Sequence, residues 1–454
     1  MTGTETPKRH VRALRTRREF ILQAGALGVA GISAACHLVP ASSPTPTPYP
    51  VPTYLPTMTP SDTFTDWGWP LPYAQVSAKS VQWLKNRGWW PLVVGHQPFW
   101  SGANAVNAVL EFDKLFAVRG LDVVFLSFQD ATATVQGFAS SRLQVCTLNS
   151  SLVAQLIQSG APVAVVAIVT PNLEAATVVP NASHLQSLSQ LKGSASAIGI
   201  VPNSLADTYL IVSAAVNGLT VGQDFYLKAL ILKEEATLPA TVSAVVPQEP
   251  VVSEITEQLH TGRRIDVVFP YIFSHGNLVI RRELIESAPD VVQALVDSYV
   301  EGILFVRLQP RSATALLAKR PDLRGYSPSF LLAQTQSYNN LYKPTFLFPF
   351  VDFWSIEDAS VTTELAAAHQ LAAPLDVPTW QRFIIPTFAQ NSFARLGWRL
   401  PNRPPWIPKD WTGSVGRPPY PEYPNVSNMR QPQPWPESGD LTRPWKFAGT
   451  TYNP

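Results

Sequence analysis

The chain has 454 residues, 46% of them hydrophobic, which is enough apolar material for one large or two medium cores and predicts a folded, bilobal protein. Its formal net charge is +2, and no basic or acidic run follows the first twenty residues, so the composition predicts no nucleic-acid partner. Only Cys36 and Cys146 are present, which excludes a disulfide scaffold and any CxxC metal or redox motif.

At the N-terminus, Lys8, Arg9, Arg12, Arg15, Arg17 and Arg18 precede an apolar run from Phe20 to Ala35 that ends in small residues. That is the layout of a secretory signal. As a helix the run reaches about 24 Å, short of the ~30 Å hydrocarbon core of a bilayer. "TRREFIL" resembles the twin-arginine export motif, with Arg17 and Arg18 as the pair. "SAAC" resembles the box at which bacterial lipoproteins are cleaved and acylated, which would leave Cys36 as the first mature residue, although Ser33 stands where such boxes usually carry leucine. The alternative is simple cleavage after an Ala-x-Ala-like site. Residues 1–36 are thus read as the signal, and 37–62 as a tether. The stretch "PASSPTPTPYPVPTYLPTMTPSD" favours extended polyproline geometry and forms neither helix nor sheet.

Residues 63–90 are aromatic-rich and are expected to pack on the body as an extra helix. From Leu92 onward, short β-rich runs alternate with helical stretches, the pattern of parallel strands in βαβ units. "PLVVGH" reads as the first strand, followed by a helix from about Asn104 to Val118. "LDVVFLSF", "LQVCTL" and "PVAVVAIV" read as the next three, the last apolar throughout, as a strand covered on both faces should be. A second set begins with "ATVVP" and continues through "SAIGIV", a helix from Leu205 to Asn217, a strand near Leu227 to Leu232, and "IDVVF". After "NLVIRRELI" the chain turns mostly helical. Two such sets predict a first lobe over 91–175, a second over 176–270, and a return to the first lobe with C-terminal helices over 271–400. Residues 401–454 form a Pro/Trp-rich arm, read as an irregular segment lying along the domain surface, or else as a docking arm.

No phosphate loop, dinucleotide fingerprint, GxSxG elbow or HExxH occurs, and His96, His184, His260, His275 and His369 show no ligand spacing. The sequence therefore predicts no metal site, no cofactor and no catalytic constellation. Cys146, in an apolar strand, is expected to be a buried inert thiol. What recurs is a run of small polar residues where each strand ends and a helix opens: "GHQPFWSGAN", "SFQDATAT", "TLNSSL", "VTPN" and "VPNSLAD". Ligands of open parallel sheets bind outside the carboxyl ends of strands, where helix N-termini offer unpaired N–H groups. Each loop taken alone also reads as ordinary N-capping.

The segment from "LVVGHQPFW" through "LFAVRGLDVVF" and "SSRLQVCTL" to "PVAVVAIV" resembles the first lobe of periplasmic solute-binding proteins for nitrate, sulfonate, taurine and thiamine-pyrimidine precursors. "VVPNASHLQSLSQLKGSASAIGIVPNS", "RRIDVVFPYIFS" and "IRRELIESAPDVVQALVDSYVEGILFV" are similar to later passages of that family, over about 91–400 in all. The resemblance implies a type II periplasmic-binding-protein fold of class α/β, two lobes with mostly parallel sheets flanking a ligand cleft. It implies capture of a small-molecule solute for an ABC permease and ATPase, by a chain expected to be a monomer and, from the lipoprotein-like box at Cys36, to be held at the membrane by a lipid anchor. By position it implies ligand contacts from Gln97, Phe99, Trp100, Gln129, Asp130, Thr132, Asn149, Ser150, Thr170, Asn203, Ser204 and Tyr271.

Gln129 and Asp130 stand where many relatives have serine or glycine, and "NSLAD" replaces a glycine-led turn. None of these loops contributes Arg or Lys, so the sequence favours a neutral or amine-bearing small organic solute, a heteroaromatic among the options, over the sulfonate- or nitrate-like solute that the resemblance leaves open, with Asp130 pairing a donor or simply capping its helix. Two other readings stay open. Some relatives are enzymes of pyrimidine synthesis that donate a cleft histidine, for which His96 is placed, and a binding fold can also serve as a sensor or assembly subunit docking through the arm.

Overall fold

The computed structural model describes Trp69 and residues 71–96, 101–128, 131–170, 175–268, 271–272, 275–341, 351–396, 445–447 and 450–452. Arg17, Arg18, Cys36, the tether and most of the C-terminal arm lie outside the described residues.

Two five-stranded sheets form the body. The first holds β1 (Leu92–His96), β2 (Val123–Ser127), β3 (Val145–Leu148), β4 (Val163–Thr170) and, far along the chain, β10 (Gly276–Arg281). The second holds β5 (Ala176–Pro180), β6 (Ser196–Ile200), β7 (Phe225–Ala229), β8 (Ala244–Val245) and β9 (Gly262–Val267). Strand orders are β2-β1-β3-β10-β4 and β7-β6-β8-β5-β9. In each sheet four strands share one direction and a single strand, β10 or β5, runs against both neighbours. Those two strands are the ones the chain enters on changing sheets. The mostly parallel expectation therefore describes the strand directions, with one antiparallel insertion per lobe.

Among the described residues the longer helices are α1 (Ala78–Asn86), α2 (Ser101–Phe112), α3 (Ala131–Ala139), α4 (Ser150–Gln158), α5 (Leu205–Val216), α6 (Arg282–Ser287), α7 (Pro289–Leu308), α8 (Pro310–Leu317), α9 (Pro328–Leu341), α10 (Val351–Ala367), α11 (Val377–Phe383) and α12 (Thr387–Arg395). The helix expected to run to Val118 stops at Phe112, because Lys114 takes a left-handed φ of 57° and a 3₁₀ turn (Ala117–Arg119) follows. Gly120 closes that turn at φ 74°, a conformation glycine adopts without steric cost. The strand expected near Leu227 to Leu232 sits earlier, at Phe225–Ala229. Every residue of β4 is buried, as its unbroken apolar run requires. Its outer edge is closed by Ile385, whose N–H donates to the Val165 carbonyl at 2.8 Å.

The aromatic N-terminal segment is seated on the first lobe. Trp69 and Tyr73 join the core, and Asp290 at the start of α7 accepts hydrogen bonds from the Ser77 N–H (2.7 Å) and the Ser80 hydroxyl (2.5 Å). Of the C-terminal arm, Trp445–Phe447 and Thr450–Tyr452 pair as an antiparallel hairpin (β11, β12). One continuous core runs through both sheets, and a smaller cluster around Val178, Val245 and Ile255 lies in the second lobe.

Two features tie the lobes together. Helix α10 packs against α4 of the first lobe and α5 of the second. On α9, the Gln334 amide donates to Glu249 Oε2 (3.2 Å) and Ser253 Oγ (3.0 Å) of the second lobe.

Candidate functional site

The carboxyl end of β3, the approach to β10 and the first turns of α4 and α5 converge beneath α10 on a small cavity of about 10 Å³. Asn149, Ser150, Thr208, Ile272 and His275 line it, and Glu357 reaches it from α10. A cavity needs roughly 10–15 Å³ to hold a water, so the space here is about that of one water molecule.

Asn149 is the N-cap of α4. Its Oδ1 accepts from the Leu152 N–H at 3.0 Å and the Ser151 hydroxyl at 2.8 Å. Its Nδ2 is buried with no hydrogen-bond partner, which leaves one donor for an occupant of the pocket. Ser150 Oγ lies 3.1 Å from His275 Nε2 and accepts from Asn277 Nδ2 at 3.4 Å. Thr170 ends β4 opposite Gly276, and a Cβ at Gly276 would meet Thr170 Oγ1 at 3.0 Å and Thr147 Cγ2 at 3.1 Å. Only glycine allows β10 to enter this close, and that entry brings His275 to the pocket.

Helix α10 supplies the roof. Trp354 packs on the His275 ring with centroids 4.1 Å apart. Glu357 and Asp358 follow, each about 1% exposed. Asp358 Oδ1 stands 3.7 Å from His275 Nε2. Burial raises the Asp358 carboxyl above its ordinary pKa, opposed by His275 and by hydrogen bonds to Ser150 and Glu357. Serine, histidine and aspartate meet here, yet both oxygens address the same ring nitrogen. A nucleophile–base relay needs them on opposite nitrogens, so this geometry is not that of a relay.

The other sequence candidates separate. Asn203 and Ser204 cap α5: the Asn203 N–H donates to Asp207 Oδ2 (2.9 Å), and Ser204 Oγ accepts from the Asp207 N–H (3.1 Å). That is the N-capping alternative, although the turn they shape brings Leu205 and Thr208 to the pocket. Tyr271 belongs to a neighbouring polar group. Its hydroxyl accepts from Asn217 Nδ2 at 3.1 Å and hydrogen-bonds Asp266, whose carboxyl burial pushes up to about 6. Thr132 is exposed on the first turn of α3. Gln97, Phe99, Trp100, Gln129 and Asp130 lie outside the described residues. His96 is buried and engaged by Arg320, its Nε2 2.7 Å from Arg320 Nη2. Cys146 is fully buried, and desolvation drives its thiol pKa far up, so the inert-thiol expectation holds.

Sequence reasoning did not find Thr208, His275, Trp354, Glu357 or Asp358 as one group. The single local sign is the acidic pair in "FWSIEDASV", two adjacent carboxylates in an otherwise apolar stretch.

With this geometry in view, solved structures place the fold. The periplasmic nitrate-binding protein NrtA from Synechocystis PCC 6803 superposes with a TM-score of 0.56 at 13% identity, over 67% of this chain and 88% of that one. The periplasmic sulfonate-binding protein SsuA from Methylobacillus flagellatus KT gives 0.52 at 19% identity, over 68% and 96%. The ligand-binding component of an ABC-type import system from Staphylococcus aureus, solved with zinc bound, gives 0.51 at 17% identity, over 66% and 98%. No protein-family model matches the sequence, and no curated protein matches it either. The chain has the fold of the periplasmic solute-binding proteins of ABC-type importers, two α/β lobes around a cleft. Among the described residues, no helix is long and apolar enough to cross a membrane.

Proposed function

We propose that this chain is the extracytoplasmic solute-binding component of an ABC importer. It captures a small solute between its lobes and hands it to a permease and ATPase. The observation that carries this reading is the pocket itself, at the carboxyl ends of parallel strands and between lobes of this fold. The described lining bears His275 and Glu357, with Asp358 close beside them, and no arginine or lysine. A bare oxyanion would meet uncompensated carboxylates there, so the solute is neutral or amine-bearing.

In chelator-treated protein, calorimetry should detect no binding of nitrate or of simple alkanesulfonates, and native mass spectrometry of protein purified from its source should show a neutral or cationic small molecule. Tight sulfonate binding by the chelator-treated protein would overturn the assignment of the solute.

The N-terminal sequence completes the reading. Export follows the twin-arginine pair Arg17 and Arg18, acylation at Cys36 anchors the chain, and the Pro/Thr tether gives it reach. Stable anchoring generally takes more than one acyl chain, which a diacylated cysteine supplies. Cys36→Ala should move the protein from the membrane fraction to the soluble one; an unchanged distribution rules out the lipid anchor.

A further inference from the structure

Where α10 meets the pocket, two buried carboxylates, Glu357 and Asp358, stand side by side against one imidazole, His275. Taking each charge out of water costs several kcal/mol, and the group that faces Asp358 is the His275 imidazole, at 3.7 Å. Ser150 Oγ, 3.1 Å from His275 Nε2, adds a polar neighbour. Even so, the group is not satisfied. Asp358 Oδ1 is buried without a hydrogen-bond partner, and so is the amide nitrogen of Asn149 in the same pocket. Among the described residues, an acceptor and a donor are thus left unmatched at this pocket.

We propose that His275, Glu357 and Asp358 form a binding site for a divalent cation of the zinc class. One ligand atom from each residue lies within 4.8 Å of the others. Bonds of about 2.0–2.2 Å place neighbouring ligands of tetrahedral zinc roughly 3.4 Å apart. The His275 Nε2 to Asp358 Oδ1 separation is already 3.7 Å, and small rotations at the ends of the two carboxylate side chains bring the set together. An imidazole with two carboxylates is softer than the all-oxygen cages of calcium and magnesium and harder than thiolate sites, which selects zinc and its neighbours. Three protein ligands leave the fourth position to a water. The Asn149 amide is available to donate to that water, and Ser150 Oγ sits within reach of the same ring nitrogen. The bound cation balances both buried carboxylates. It bridges the lobes' contacts as well, because His275 enters the first sheet while Glu357 and Asp358 ride on the helix that touches both lobes. The inference does not rest on the import reading, since a chain that delivers nothing would still hold the ion.

The test uses the full purified chain, stripped with chelator, incubated with zinc chloride and dialysed. Elemental mass spectrometry should report one zinc per chain, and zinc should raise the melting temperature reversibly. Asp358→Asn and Glu357→Gln should each weaken binding at least tenfold. A variant with His10, His37, His184, His260 and His369 all changed to alanine should retain the ion, because the site needs only His275 among the histidines. If the acid variants fail to fold, cobalt(II) on the unmodified protein decides the matter. The visible bands of a low-coordinate nitrogen–oxygen site, discharged by one equivalent of zinc, support the proposal, and the spectrum of the hydrated ion overturns it. Loss of zinc in the five-histidine variant, or full occupancy in Asp358→Asn, overturns it equally.

Discussion

Glu301→Ala lowers the unfolding free energy by about 3–5 kcal/mol, read as a fall in the urea midpoint with an unchanged slope. Glu301 lies in the middle of α7 and Arg119 in the turn before β2, and both side chains are essentially fully buried. Arg119 Nη2 meets Glu301 Oε2 at 2.7 Å. The Tyr73 hydroxyl donates to Glu301 Oε1 at 2.9 Å, and Arg119 Nη1 donates to the Leu115 carbonyl at 2.9 Å. The guanidinium also faces the rings of Tyr73 and Trp69, at 4.8 and 5.6 Å. Removing the carboxylate leaves a buried cation with one carbonyl and two aromatic faces, and it strips the acceptor from Tyr73. Glu301→Gln should cost less than the alanine change, because the amide oxygen still accepts from Tyr73. The double change Arg119→Met, Glu301→Leu should recover most of the loss, since apolar residues replace a buried pair at little or no cost. A loss below about 1 kcal/mol for Glu301→Ala would show that the pair is effectively solvated.

Arg119 also marks where sequence reading stops. In "LFAVRGLDVVF" it looks like an ordinary surface charge beside a glycine turn, and nothing local foretells a carboxylate 182 positions away in the sequence (119 to 301). The strands, by contrast, were legible because their signal is local. "PVAVVAIV" carries no polar residue, and a strand buried on both faces needs none. The two-residue β8 escaped notice because it is too short to carry a pattern, and the reversed direction of β10 and β5 depends on how the chain crosses between sheets. The strand-end loops were legible as helix openings, and Asn149 and Ser204 do cap α4 and α5. Which of those loops would share a pocket was not legible. The pocket's acidic half arrives on α10, more than eighty residues beyond "TLNSSL" and beyond His275 as well, and only the completed fold sets Glu357 beside His275.

That dependence on α10 can be measured at Trp354. Its ring is 2% exposed, packs on His275 at 4.1 Å and meets Phe353 edge-on at 4.6 Å. Trp354→Ala removes a large buried ring at the point where α10 seats on the pocket, and should cost about 3–5 kcal/mol. Trp354→Phe should cost less than about 1.5 kcal/mol, for two reasons. Most of the packing area survives, and the indole Nε1, buried without a hydrogen-bond partner, disappears with its desolvation penalty. The location of the damage matters as much as its size. Because α10 touches both lobes while α7 lies in the first lobe's core, Trp354→Ala should lower amide-exchange protection across Val351–Ala367 and leave Pro289–Leu308 protected. Equal loss in both helices would mean that the ring supports the global core instead of the roof of the pocket. Equal stability of the alanine and phenylalanine variants would mean that the ring is not seated on His275 at all.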